Sequence, residues 1–208
     1  MLKEYKNLIS FPSKTSELLV DLDLFSSPLF GNEELKKLLQ YFRQKNFTHY
    51  LIVKFLLSTG VSIPDLLYFQ IKCIDFESGM LTLTGGKRLN FRRIRLEREF
   101  LLEIYRHCSD QSMDSPLFGG RHGCSRNERS IQKILNAASQ FLKKEINIPI
   151  IRESIAISFH ERGASLSEIQ TFLGHRSIKS TKQRITHCYR RIDEMMRHNF
   201  TNWKEKAA

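Results

Sequence analysis

The chain has 208 residues, with 33 Lys or Arg against 22 Asp or Glu and a formal net charge of +11. At 41% hydrophobic it can bury a core, which excludes a disordered chain, and its basic surplus points to a polyanionic partner, because basic side chains displace counterions from phosphates. A soluble intracellular protein is expected: the first residues carry no apolar signal core, and the most apolar run, Tyr50 to Leu57, is short and contains Lys54.

Residues 1 to about 30 form a mixed lead-in ending in S-S-P-L-F-G. Asn32 is predicted to cap a first helix, with Glu33 and Glu34 in its positive first turn and Leu35, Leu38, Leu39 and Phe42 on one face. A second helix, from about Thr48 to Thr59, is apolar nearly all round and so belongs at the centre of the core, and Gly60 ends it. Ser62 and Pro64 start a short third helix reaching about Phe69. The pattern then changes. Ile74-Asp75-Phe76, the turn Glu77-Ser78-Gly79 and Met80 to Thr84 read as strand, turn, strand. Gly85-Gly86 makes the next turn, and Phe91 to Leu96 is a third strand. The fold class is therefore mainly α with a small three-stranded antiparallel sheet.

Helices resume after the sheet. Leu101, Ile104, Tyr105 and Cys108 mark one apolar face, and Pro116 to Gly120 is a loop. Ser125 with Glu128 reads as a capping box for a helix carrying Ile131, Ile134, Leu135, Ala138, Phe141 and Leu142. A further helix is predicted from about Ile151 to Arg162, which makes Arg152 its opening residue, with a stop at Gly163. Ser165 with Glu168 forms a second box, leading into Ile169 to Leu173. The last helix is predicted to begin near Ser180, and Ile192, Met195, Met196 and Phe200 put an apolar stripe on the C-terminal segment.

The order of parts from Arg152 to His187, R-E-S-I-A-I-S-F-H-E-R-G-A-S-L-S-E-I-Q-T-F-L-G-H-R-S-I-K-S-T-K-Q-R-I-T-H, closely resembles the C-terminal signature of the tyrosine recombinases, the phage-integrase family. The likeness extends upstream. Leu57-Ser58-Thr59-Gly60-Val61-Ser62-Ile63-Pro64-Asp65 resembles the helix break that carries that family's first catalytic arginine. Gly86-Lys87 before a basic strand resembles its hairpin lysine, and Pro116-Leu117-Phe118 with Ser130-Ile131-Gln132 matches its mid-domain spacing. Weak motifs in the right order make a strong joint signal. The resemblance covers about residues 30 to 200. It implies a tyrosine-recombinase catalytic-domain fold over residues 31–190, a lead-in over 1–30 and a C-terminal helical tail over 191–208. With so short a lead-in, a separate N-terminal DNA-clamping domain is not expected.

In that family a tyrosine attacks a DNA phosphate, and arginines, histidines and a lysine support the step. Fixed guanidinium donors stabilise the charge that develops on phosphorus, and a lysine can protonate the leaving oxygen. The resemblance assigns Lys87 to the lysine, Arg152 to the second arginine and His175 to the histidine of the third motif. It also puts Ser62 at the first arginine, Pro149 at the paired histidine and Ile185 at the nucleophile. The segment between His175 and Thr186 is one residue longer than usual, and shifting the alignment offers Arg184, again no tyrosine. Tyr189 lies four residues after Ile185, on the same face of a continuing helix but ~6 Å further along the axis. A misplacement of even ~1 Å can slow a reaction ~100-fold, and the loss of one charge-stabilising donor ~100- to 1,000-fold. Tyr189 is thus a displaced nucleophile or an ordinary packed aromatic.

Arg88, Arg92, Arg93, Arg95 and Arg176, with Lys87, Arg152 and His175, are the expected contacts to duplex DNA. Ordinary alternatives stand beside them: a turn lysine at 87, a solvated strand edge at 92 to 95, a helix end at 175. The expected function is DNA binding with little or no strand cleavage, in recombination, integration or replicon maintenance. Two alternatives remain open: a divergent recombinase that uses Tyr189 or a partner's tyrosine, and a protein-interaction module. The apolar tail is either core or a contact to a second copy or an active recombinase. His122 and Cys124 do not make a metal site by themselves, and Cys73, Cys108 and Cys188 add no ligand spacing. The expectation is therefore a cytoplasmic protein with no metal, no cofactor and no membrane partner.

Overall fold

A computed structural model of the chain describes residues 29–84, 89–120 and 126–207. Within them the order is α1 (Asn32–Lys45), α2 (Phe47–Thr59), α3 (Ile63–Tyr68), a 3-10 turn (Ile71–Cys73), β1 (Ile74–Asp75), β2 (Met80–Leu83), β3 (Arg92–Arg95), α4 (Arg98–Cys108), α5 (Glu128–Leu142), α6 (Ile148–Glu161), α7 (Leu166–Leu173) and α8 (Ile178–Ala207). The protein is mainly helical with one three-stranded antiparallel sheet of order β1-β2-β3, in keeping with the sequence.

Two helices run through the interior. In α2, nine residues from Tyr50 to Thr59 are buried, and Leu51, Ile52, Phe55 and Leu56 have no exposed surface. Its lack of a polar face forces it between α1, α4, α5 and α6. In α6 every residue from Ile150 to Phe159 is buried, Arg152 and Glu153 included. The outer helices each lay one apolar stripe on this pair. That of α5 is Ile131, Ile134, Leu135 and Ala138. Phe141, expected to continue it, is 40% exposed and stacks instead on Tyr41.

Several boundaries differ from the sequence reading. Gly31, not Asn32, caps α1, and its N–H donates to the Glu34 carboxylate. Asn127 caps α5 by accepting from Ser130 N–H, and Ser125 lies outside the described residues. Phe100 takes the buried place on α4 that was assigned to Tyr105, which is 45% exposed and packs edge-on against Phe76. α6 begins at Ile148, capped by the Asn147 side chain and with Pro149 in its first turn, so Arg152 sits one turn inside rather than opening it.

In the sheet, Leu83 faces Arg92 and Met80 faces Arg95. Side chains alternate along a strand, and β3 follows the rule: Arg92 and Ile94 are buried, Arg93 is exposed and Arg95 half-buried. At the other end, α8 packs on α6 and α7. Its own Ile185 and Cys188 are buried, Ile192 is partly buried against the core and Met196 is 66% exposed. The side chains of Met195 and Phe200 lie outside the described set. Among the described residues, no helix is long and apolar enough to cross a membrane.

Candidate functional site

The basic side chains gather around one turn, Leu173-Gly174-His175. Ser165 starts α7 as a full capping box: its hydroxyl accepts from Glu168 N–H while the Glu168 carboxylate accepts from Ser165 N–H. Gly174 ends the helix with φ +69, in the left-handed region that favours glycine. A second reason also requires glycine there, because a Cβ would fall 2.7 Å from Nη1 of Arg92. The turn is tied to the chain entering β3: Asn90 N–H donates to Gly174 C=O at 2.8 Å, and Asn90 Nδ2 and Gln170 Nε2 both donate to His175 C=O.

These bonds fix His175. Its Nδ1 lies 2.9 Å from the buried Thr181 hydroxyl, while Nε2 is buried with no hydrogen-bond partner. Burial first, then the charges of Arg152, Arg184 and Arg92, push its pKa down to about 3. The ring is therefore neutral. When the Thr181 hydroxyl donates to Nδ1, the proton sits on Nε2 and that atom is a donor.

Arg152 is buried beside it. Its guanidinium donates to Gly60 C=O and, at 2.9 Å, to Leu173 C=O. Gly60 is the left-handed cap of α2 and Leu173 the last residue of α7. Both oxygens belong to helix C-termini, whose unsatisfied carbonyls attract cations. Arg152 thus ties α2 and α7 to α6. Burial lowers its pKa to about 9, with the charges of Arg184 and Arg92 acting the same way.

Arg92 arrives from β3. Its side chain is fully buried, and none of its three guanidinium nitrogens has a hydrogen-bond partner. It is ion-paired with Asp65, whose Oδ2 lies 3.9 Å from Nη2 and also lacks a hydrogen bond. Burial lowers the Arg92 pKa, opposed by Asp65. Asp65 comes from α3, and Ser62 there accepts from Asp65 N–H at 3.3 Å, so its hydroxyl is committed to capping. Arg184 closes the group from α8, donating to Pro149 C=O at 3.1 Å with Glu153 4.0 Å away.

The structure thus brings Arg92, Arg152 and His175 together and adds Arg184 and Asp65. Lys87 and Arg88 lie outside the described residues. Arg93 and Arg176 are exposed, so the 92-to-95 segment is split rather than forming one surface face. Ile185 is 6% exposed and part of the core. Tyr189 points elsewhere: its hydroxyl lies 3.3 Å from Nδ1 of His160, about two turns, or ~12 Å, further along α6 than Arg152. Desolvation and then Glu161 hold its phenol above the ordinary value, which disfavours the nucleophilic anion.

The inward turn of Arg92 had a sequence signal, the strand alternation that pairs it with Ile94. Asp65, Glu153 and Thr181 carried none beyond residue type. Chemically, the group is a cationic, largely buried cluster with unspent donors on Arg92 and His175. That is a fit for an oxyanion.

Comparison with known proteins agrees with this geometry. The pattern of the phage integrase family matches residues 29–191. Tyrosine recombinase XerA of Pyrococcus furiosus is 30% identical over 154 residues, which are 72% of this chain and 54% of that protein. The probable integrase/recombinase YoeC of Bacillus subtilis is 26% identical over 76% of this chain and 88% of its own length. The chain spans about half the length of the first of these relatives. A crystal structure of XerA recombinase superposes with a TM-score of 0.66 at 20% identity, covering 81% of this chain and 64% of that one. The XerH site-specific recombinase bound to a palindromic difH substrate gives 0.59 at 21% identity, over 82% of this chain and 53% of that one. With its helical body, its single sheet and its match over most of its length, the chain belongs to the phage integrase family of tyrosine recombinases.

Proposed function

We propose that this family member binds duplex DNA by seating a backbone phosphate in the recess around Leu173-Gly174-His175, and that it carries out little or no strand cleavage by itself. The supporting observation is the pairing of that recess with a buried Ile185: cationic donors converge, while the side chain assigned to the nucleophile is core. Exposed Arg93 and Arg176 and the half-buried Arg95 extend the contact along the phosphate backbone, with Lys87 and Arg88, which lie outside the described residues, as further expected contacts. Its role is then accessory or regulatory, in recombination, integration or replicon maintenance in the cytoplasm. A second copy or an active recombinase would be met through α8. The hydrogen bond between Tyr189 and His160 favours one competing reading, a divergent recombinase in which His160 assists Tyr189.

Two measurements separate these readings. Mobility-shift titration on duplex DNA is expected to show binding that weakens steeply with salt. Incubation with nicked suicide duplexes is expected to trap no covalent adduct. An adduct that disappears in Tyr189→Phe would reverse the cleavage-impaired reading and identify the nucleophile. No shift even at low salt would leave a protein-interaction module.

A further inference from the structure

We propose that the cleft between α3 and β2 receives one unpaired, amino-bearing base of the bound DNA, stacked on Tyr68 and read by Asp65. The inference rests on the DNA-binding reading and adds to it a site for a base beside the contacts to the backbone. The cleft has a volume of about 270 Å³ and is lined by Asp65, Tyr68, Cys73, Thr82, Thr84 and the buried Leu83. That is just under the ~300 to 1,000 Å³ common for small-ligand sites, which suits a single planar ring whose sugar stays outside.

Each wall offers a contact that a base can use. Tyr68 is 75% exposed, more than any other large hydrophobic side chain among the described residues. An aromatic face left in water at the rim of a cleft is a platform on which any base stacks. Asp65 lines the same cleft, and its side chain keeps 18% exposure although Oδ2 is sealed and without a hydrogen bond. Ion-paired with Arg92 at 3.9 Å, it is an acceptor only. It therefore suits the exocyclic amino group of cytosine or adenine and opposes the carbonyl oxygen that thymine carries instead. Thr82 and Thr84 stand two residues apart, on one face of the strand. Their hydroxyls donate or accept, which serves the rest of the ring edge.

Asp65 also joins the cleft to the cluster of Arg92 and Arg152. Thr84 directly precedes the segment that carries Lys87 and Arg88. Cations on one side of Asp65 and a stacking platform on the other are what a base turned out of its helix requires. Unstacking is least costly for a base that is mismatched or already unpaired, so the cleft selects such a base rather than extruding a paired one.

The test uses the full chain and matched duplexes, either fully paired or with one extra central nucleotide: cytosine, thymine or abasic. Affinity is read by fluorescence anisotropy. Occupancy of the cleft is read by the rate at which iodoacetamide alkylates Cys73, followed by peptide mass spectrometry. Cys73 lines the cleft, whereas Cys108 and Cys188 are buried. The extra cytosine is expected to bind about tenfold tighter than the abasic nucleotide and to slow the alkylation of Cys73. Thymine gains less. Tyr68→Ala is expected to bind the paired duplex as wild type and to lose the cytosine gain, while Tyr68→Trp keeps it. Asp65→Asn, whose amide both donates and accepts, brings thymine level with cytosine. Tyr68 is an exposed side chain, so its variants carry the test even if Asp65→Asn does not fold. Equal affinity for the cytosine and abasic duplexes, or a Cys73 rate that the cytosine duplex leaves unchanged, would overturn the proposal, and binding of the paired duplex would still uphold the DNA reading. A cytosine preference that survives Tyr68→Ala would put the base elsewhere and overturn it too. A chain that binds none of the duplexes would remove both readings.

Discussion

His175 shows how a single side chain can set a pH response. Its native value of about 3 lies well below the ordinary 6.5 because burial and three nearby guanidinium groups oppose a second proton. Between those two values the unfolded chain binds a proton that the native chain refuses. Stability therefore rises with pH across that window and is lost as pH falls through it, by up to about 1.4 kcal/mol per pH unit for one such group. Urea unfolding at pH 6.5 and pH 4 is expected to show a smaller loss for His175→Gln than for wild type. Equal losses would mean that the ring titrates freely. The meeting of His175 with Arg152 was legible because flanking motif residues fixed their place. The inward turn of Arg92 was harder to read, because three charged residues lie among the six from Phe91 to Leu96 and mimic a solvated edge. Only the registry with Ile94 betrays it.

At the scale of elements, α8 is held by more than its apolar face. The buried Glu153 carboxylate of α6 receives His187 at 3.1 Å, Arg191 at 3.5 Å and Arg184 at 4.0 Å. One internal acid thus clasps the span of α8 that carries the buried Ile185 and Cys188. Replacing it with Gln removes a counter-charge from Arg184 and leaves Arg191 with Glu145 alone. The expected destabilisation is about 1 to 2 kcal/mol, below that of a sealed ion pair because both arginines are partly exposed. The urea midpoint of Glu153→Gln measures it, and protection from hydrogen exchange is expected to fall first in α8. The helices themselves were largely readable. The unbroken apolar run of α2, the Ser62 cap of α3 and the Ser165–Glu168 box all carry local physics that nothing else overrides. Helix starts at Gly31, Asn127 and Asn147 were not, because each has a second plausible cap or breaker within a few residues. Pro149 in particular reads as a boundary, although proline in a first turn is compatible with the helix.

For the whole molecule, the net charge of +11 acts at longer range than any single contact. An exposed arginine such as Arg93 contributes to that field while leaving the fold alone. Arg93→Ala is expected to reduce the slope of log affinity against log salt by about 1, with the urea midpoint moving by less than about 0.5 kcal/mol equivalent. An unchanged slope would place Arg93 off the binding face. The anchoring of Arg152 has a further consequence for descent. Because it ties the ends of α2 and α7 to α6, a lineage can retain it simply to reach a folded state. Selection for foldability alone can preserve such an arginine, so its survival in a sequence testifies to ancestry and architecture rather than to working chemistry.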